Sequence, residues 1–199
     1  MADGDEVTAA VVAIGDEVLS GRTQDTNTNT LARWFTAKGV RLKEARVVGD
    51  DKAAIGGAVN ALRRAYRYVV TTGGIGPTHD DITADAVADA FGVALELHPE
   101  AVRRLRGYLG EDRLNEARLR MARIPAGASL IDNPVSIAPG FQIENVFVLA
   151  GVPKVMEGML TALDARIGGG APTHSASWRC GIPEGDLGGP LARLQADYP

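Results

Sequence analysis

Tyr68-Val69-Val70-Thr71-Thr72-Gly73-Gly74-Ile75-Gly76-Pro77-Thr78-His79-Asp80-Asp81-Ile82-Thr83 decides how the rest of the chain is read. Tyr68 to Thr72 is continuous and β-branched, the composition of a strand covered on both faces. Glycines at 73, 74 and 76 then let the backbone take positive φ and let a ligand approach the main chain closely, and the helix signalled after Asp81 offers free N–H groups to an anion. Asp80 and Asp81 would be repelled by that anion, since like charges about 4 Å apart cost on the order of 4 kcal/mol at a partly shielded dielectric. A divalent cation such as Mg2+ between them removes the conflict. The segment thus reads as a metal-assisted phosphate or pyrophosphate loop. Gly73, Gly74, Ile75, Gly76, Pro77 and Thr78 cradle the phosphate, and Asp81, aided by Asp80 or Asp50, holds the metal and supplies the catalytic carboxylates. The plainer alternative is a glycine-rich turn in which Asp80 or Thr83 caps the helix; capping needs one side chain and no Gly-Gly-x-Gly. No Lys-Ser or Lys-Thr follows the last glycine, and no glycine stands three residues after Gly76, so the Walker and dinucleotide fingerprints are both excluded.

Outward from this loop, apolar runs and helical periodicity alternate as in a parallel α/β sheet. Val7 to Ile14 and Leu42 to Val48 read as strands, the first ending in Gly15-Asp16-Glu17. Thr26-Asn27-Thr28 supplies capping side chains for a helix carrying Leu31, Trp34 and Phe35. Asp50-Asp51 starts another helix, in which Gly56 and Gly57 mark a close helix contact. Three polar loops then share the carboxyl edge of the sheet, where open α/β folds collect ligands, so Asp16, Asp50, Asp80 and Asp81 converge there. Helices are expected from Asp81 to Phe91, from Pro99 to Leu109 and from Glu111 to Ala122. The arginines of the last two, from Arg103 to Arg123, read as a solvated face paired with Glu111, Asp112 and Glu116, with one or two able to reach a phosphate. Asn133 to Phe141 is a punctuated loop, Val146 to Ala150 a strand, and Pro153 opens a helix to Leu163.

With 199 residues and 45% hydrophobic residues the chain can bury a sizeable core. The expected division is a main domain over 1–167 and a linker with a small appendage over 168–199, containing a strand from Ser175 to Ile182 and a short helix from Leu187 to Leu194. The end at Tyr198-Pro199 leaves room for a longer natural chain. A net charge of −4 disfavours nucleic acid, and no apolar stretch has membrane-spanning length. The lone Cys180 reads as an inert, partly buried thiol of a cytoplasmic protein, and His79, His98 and His174 are too dispersed for a zinc site.

Together, Gly15-Asp16-Glu17-Val18-Leu19-Ser20-Gly21, Asp25-Thr26-Asn27, Val48-Gly49-Asp50-Asp51, the run from Thr72 to Thr83, and Asn133-Pro134 through Phe141 resemble the molybdopterin-binding domain family. Within it they are most similar to the branch formed by the amino-terminal domains of competence/damage-inducible proteins. The resemblance covers about Val7 to Leu163 and implies a three-layer α/β/α fold with a mainly parallel sheet, a homo-oligomer (dimer or trimer), and a small phosphorylated ligand, either nucleotide or pterin. Positions matching family ligand contacts are Asp50, Gly73, Gly74, Gly76, Thr78 and Asp81, together with Asn27 and Asn133. Some members bind molybdopterin and adenylate it with ATP and magnesium; others are associated with metal-dependent hydrolysis of ADP-ribose or FAD. Ser136-Ile137 replaces a frequent Gly-Thr pair, Gly151-Val152-Pro153 replaces Gly-Pro-Pro, and the amidase domain of longer members has no room here. The expected function is metal-dependent binding and hydrolysis of a nucleotide pyrophosphate. The alternatives are a non-catalytic pterin- or nucleotide-binding protein and a molybdopterin adenylyltransferase.

Overall fold

The computed structural model describes residues 6–170 and 176–198. The polar start, part of the expected joint at Ala171-Pro172, and also His174 and Ser175, lie outside them. In chain order the first half comprises β1 (Thr8–Ile14), α1 (Asp16–Leu19), α2 (Asn27–Ala37), β2 (Arg41–Val48), α3 (Lys52–Ala65) and β3 (Tyr68–Thr72). Next come α4 (Thr83–Phe91), β4 (Leu95–Leu97), α5 (Pro99–Leu109), α6 (Glu116–Leu119), β5 (Arg123–Pro125) and β6 (Ser129–Ile131). The last elements are β7 (Gly140–Ile143), β8 (Val146–Leu149), α7 (Pro153–Leu163) and α8 (Glu184–Asp197).

The six-stranded sheet has the order β2-β1-β3-β8-β7-β6. Its first four strands pair in parallel, whereas β7 and β6 run antiparallel to their inner neighbours. Alternation along β1 builds the two cores. Ala10, Val12 and Ile14 face Ile55, Val59 and Leu62 of α3 and Val87 of α4, while Ala9 and Val11 face Leu31 and Phe35 of α2 and Met156, Met159 and Leu163 of α7. Each large apolar side chain so buried contributes about 1.5–3 kcal/mol, so the sheet with helices on both faces is the stable solution for this pattern. The three-layer expectation holds.

Local signals explain most boundaries. Asp51 caps α3 by accepting from the Ala54 amide at 2.8 Å, and Pro99 and Pro153 sit in the first turns of α5 and α7, where a missing N–H costs nothing. For α2 the cap comes from Asp25, whose Oδ1 accepts from the Thr28 amide at 3.0 Å, rather than from Thr26-Asn27-Thr28. Gly56 does mark a helix contact, since a Cβ there would rest 3.6 Å from the Ala86 carbonyl of α4; Gly57 has nothing within 4 Å.

Several expectations are corrected. The loop expected from Asn133 to Phe141 stops at Pro139, because β7 begins at Gly140, where a side chain would collide with the Val148 carbonyl at 2.2 Å. The stretch Glu111 to Ala122 is two short 3-10 turns around the four-residue α6. Residues 176–182 form no strand, and the tail helix runs from Glu184 to Asp197 without a single buried residue. Cys180 is exposed rather than partly buried, because this segment packs on no core. Among the described residues no helix is long and apolar enough to cross a membrane.

Candidate functional site

The turn from β3 into α4 works only with glycine. At Gly73 (φ 106°) a Cβ would stand 2.2 Å from the Ile14 carbonyl, and at Gly74 (φ 66°) the same distance from Thr83 Oγ1. Thr83, fully buried, stitches the turn: its Oγ1 donates to the Gly73 carbonyl and its amide to the Gly74 carbonyl, each at 2.9 Å. Asp81 folds back over the loop, its Oδ2 accepting from the Thr78 amide at 2.8 Å and from the Thr78 hydroxyl. Neither Asp80 nor Thr83 caps α4, whose N-cap Ile82 receives no side-chain bond. The capping alternative therefore fails. The amides of Gly74, Ile75 and Gly76 donate to no acceptor among the described residues. Successive free amides of this kind form an anion-binding concavity.

These residues line a cleft of about 570 Å3. Gly73 through Pro77 and Asp81 make one wall; Glu17 and Thr23 beyond β1, Met121, Asn133 and Ser136, and Pro153 at the start of α7 close the others. Asn133 shapes its wall internally. Its Oδ1 accepts from the amides of Val135 (3.0 Å) and Ser136 (3.1 Å), and its Nδ2 donates to Ser136 Oγ (2.7 Å) and the Ala138 carbonyl (2.8 Å). In the same loop Ile137 sits at φ 66°, a conformation costing a β-branched residue roughly 1–3 kcal/mol.

The other sequence candidates lie beside the cleft. Asn27 occupies an adjoining recess shared with Glu17, Thr23 and Thr72; its Nδ2 donates to the Gly151 carbonyl at 2.7 Å, and its Oδ1 is buried without a partner among the described residues. Thr78 and Asp80 are exposed on the rim. Asp50 accepts from the Asp16 amide at 3.0 Å. Burial pushes the Asp50 carboxyl above the usual range, against that amide bond, and the negative charges of Asp16, Glu17 and Asp80 push it the same way. The nearby Thr78 side chain and the Asp80 backbone amide hold the Asp80 carboxyl below its ordinary value. Among the described residues no three His, Cys, Asp or Glu side chains are arranged to hold a metal.

Glu17, Thr23, Met121 and Ser136 escaped the sequence reading as site residues. Glu17 carried a signal, as a carboxylate just beyond β1; Met121 carried none, because only the fold brings it to the loop. The expected arginine face is paired differently, mostly with Glu100, Asp132 and Asp85 and only through Arg106 with Glu111.

Residues 10–166 match the family described as "Probable molybdopterin binding domain". A protein of Pyrococcus horikoshii is 36% identical over 168 residues, covering 77% of this chain and 66% of its own. A CinA-like protein of Citrifermentans bemidjiense is 42% identical over 159 residues, covering 76% of this chain and 38% of its own. The crystal structure of CinA from Thermoplasma acidophilum, described as of unknown function, is similar with a TM-score of 0.77 at 35% identity, over 81% of this chain and 98% of that one. The chain therefore spans just under two thirds of the archaeal relative and well under half of the bacterial one.

Proposed function

Because this chain belongs to the molybdopterin-binding domain family, with CinA-like relatives, we propose that its cleft seats the phosphates of a nucleotide or pterin and hydrolyses a pyrophosphate bond of the kind found in ADP-ribose or FAD. The observation that carries this reading is the run of three unpaired amides at Gly74, Ile75 and Gly76 on the wall of the cleft. Such amides bind anions without carrying a full charge themselves, and they are held in place by Thr83 before any ligand arrives.

A metal fits this donor set if it arrives on phosphate oxygens. Mg2+ needs only one or two carboxylates beside such oxygens, and a cation would offset the negative charges of Asp16, Glu17 and Asp80 that, after burial, raise the Asp50 carboxyl. Asp81, aided by Asp80 or Asp50, would hold a divalent cation that would neutralise phosphate charge and lower the pKa of a bound water. The loop amides fix one phosphate. Glu17, across the cleft, takes the proton of the attacking water as its oxygen bonds to phosphorus, and the bridging oxygen leaves with the second phosphate.

Incubation with ADP-ribose or FAD and Mg2+, Mn2+ or Co2+ tests the reading, with AMP as the expected product. A folded sample that binds AMP or molybdopterin by calorimetry yet releases no product under any of the metals is a binding module. Consumption of ATP that requires molybdopterin identifies an adenylyltransferase instead.

A further inference from the structure

Arg120 stands behind the phosphate loop with its charge unanswered. It begins the 3-10 turn Arg120–Ala122 and, with Gly74, Ile75, Gly76 and Asp81, lines a narrow recess on the α4 side of the loop. In the charged stretch Arg103 and Arg104 bind Glu100, Arg106 binds Glu111 and Arg123 binds Asp85, whereas Arg113 and Arg118 bond to the backbone carbonyls of Leu109 and Arg113. Arg120 meets no carboxylate within salt-bridge distance among the described residues. Its Nη2 donates to the Asp81 carbonyl at 3.4 Å, a long contact, and its Nε is buried with no acceptor among the described residues. The two carboxylates of the recess are committed elsewhere, Asp85 to Arg123 at 2.7 Å and Asp81 to Thr78. A guanidinium offers five donors in a fixed fork, and a buried donor without an acceptor costs about 1–3 kcal/mol.

An anion on the loop would answer both deficits. Met121, the next residue, lines the main cleft beside the same three loop residues, and the 3.4 Å contact is the one side-chain hydrogen bond among the described residues that Arg120 would give up in turning towards it. We propose that Arg120 is a ligand-binding residue whose fork takes the oxygens of a second phosphate while the amides of Gly74 to Gly76 hold the first, favouring linked diphosphates. This rests on the phosphate-site reading above. It also supplies positive charge from the protein itself, in a cleft whose own carboxylates, Asp81 and Glu17, oppose an anionic ligand.

The test is calorimetry with inorganic pyrophosphate and with AMP at two salt concentrations, on the wild type, R120Q and R120K, with thermal unfolding alongside. R120Q is expected to lose about tenfold in pyrophosphate affinity, the scale of one charged hydrogen bond, to lose less for AMP, and to show a flatter salt dependence. R120K should recover part of the loss, because an ammonium keeps the charge but not the fork. Unchanged pyrophosphate affinity in both variants overturns the inference, and so does a loss with unaltered salt dependence, which makes Arg120 a prop for the loop. If R120Q does not fold, the ratio of pyrophosphate to AMP affinity in R120K decides, an unchanged ratio overturning the inference. A wild type that binds neither probe overturns the phosphate-site reading itself, and the role of Arg120 falls with it.

Discussion

Asp16 and Asp50 tie the ends of two parallel strands together by exchanging hydrogen bonds: the Asp16 amide donates to Asp50 Oδ2 at 3.0 Å and the Asp50 amide to Asp16 Oδ1 at 3.3 Å. They follow β1 and β2, whose last residues Ile14 and Val48 are paired. Gly49 makes the exchange possible, since a Cβ there would come within 2.4 Å of Asp16 Oδ1. The arrangement aligns the loop edge of the site, and it places two carboxylates side by side.

Burial of Asp50 among these charges sets a pH dependence. Asp50 is raised above its usual value by burial and by its acidic neighbours, so the unfolded chain loses this proton at a lower pH than the native one. Stability from this group therefore falls as pH rises from the ordinary aspartate range to the native value, and stays level above it. Asp50→Asn keeps an acceptor for the Asp16 amide without the charge. Its unfolding temperature at pH 7 should exceed the wild type's by on the order of 1–2 °C, the return from a solvent-screened group in a chain of this size. Melting curves from pH 3 to 8 check this; a gain that persists unchanged below pH 3.5 defeats it.

Particular residues show how far the sequence could be read. Val69 and Val70 announced a strand covered on both faces, and Ile55, Val59 and Leu62 announced the buried stripe of α3, because both patterns are periodic over enough residues to stand out. β4, β5 and β6 are three residues each and carry no period. β7 was hidden by Gly140, which reads as a turn residue but is required by contact with β8. The site divides in the same way. Its loop was legible because glycines and carboxylates crowd one continuous segment, whereas Glu17, Met121 and Ser136 meet it only through the crossovers between strands.

Two glycines give opposite predictions. Gly57 lies exposed inside α3 with nothing within 4 Å of its would-be Cβ. Gly57→Ala should stabilise the protein by about 0.5–1 kcal/mol by restricting the unfolded chain. Gly74→Ala forces a side chain into positive φ and against Thr83 Oγ1, which ties down the Gly73 carbonyl. A loss of at least about 2 kcal/mol is expected from strain together with a broken buried hydrogen bond. Urea unfolding of both variants measures the contrast, and equal midpoints would refute it.

Glu100 provides a control outside the lining of the cleft. Hydrogen bonds from Arg103 and Arg104, at 2.7 Å, lower its carboxyl to about 2. A depressed native value means stability present above the unfolded value of about 4.5 and lost as pH falls towards 2. Glu100→Gln should flatten the acid limb of the stability curve between those values. At neutral pH the effect should be small, about 1–3 °C, as for other exposed ion pairs. Affinity for AMP or pyrophosphate should be unaltered, and a matching loss of affinity would place Glu100 in the site.

Asp81 separates a ligand-binding role from a structural one. Its Oδ2 already accepts from the Thr78 amide and hydroxyl, so a carboxylate is present where the fold needs only an acceptor. Asparagine retains that acceptor through Oδ1, and Asp81→Asn should unfold within about 2 °C of the wild type. The negative charge is what a cation bridging to phosphate requires, so Mg2+-dependent binding of ADP-ribose should weaken at least about tenfold. Asp81→Ala removes both properties and should lose stability as well as binding. Calorimetry and thermal unfolding of the two variants together decide the matter. If Asp81→Asn lowers stability as much as Asp81→Ala while leaving Mg2+-dependent affinity intact, Asp81 is a staple of the loop and the cation is held elsewhere.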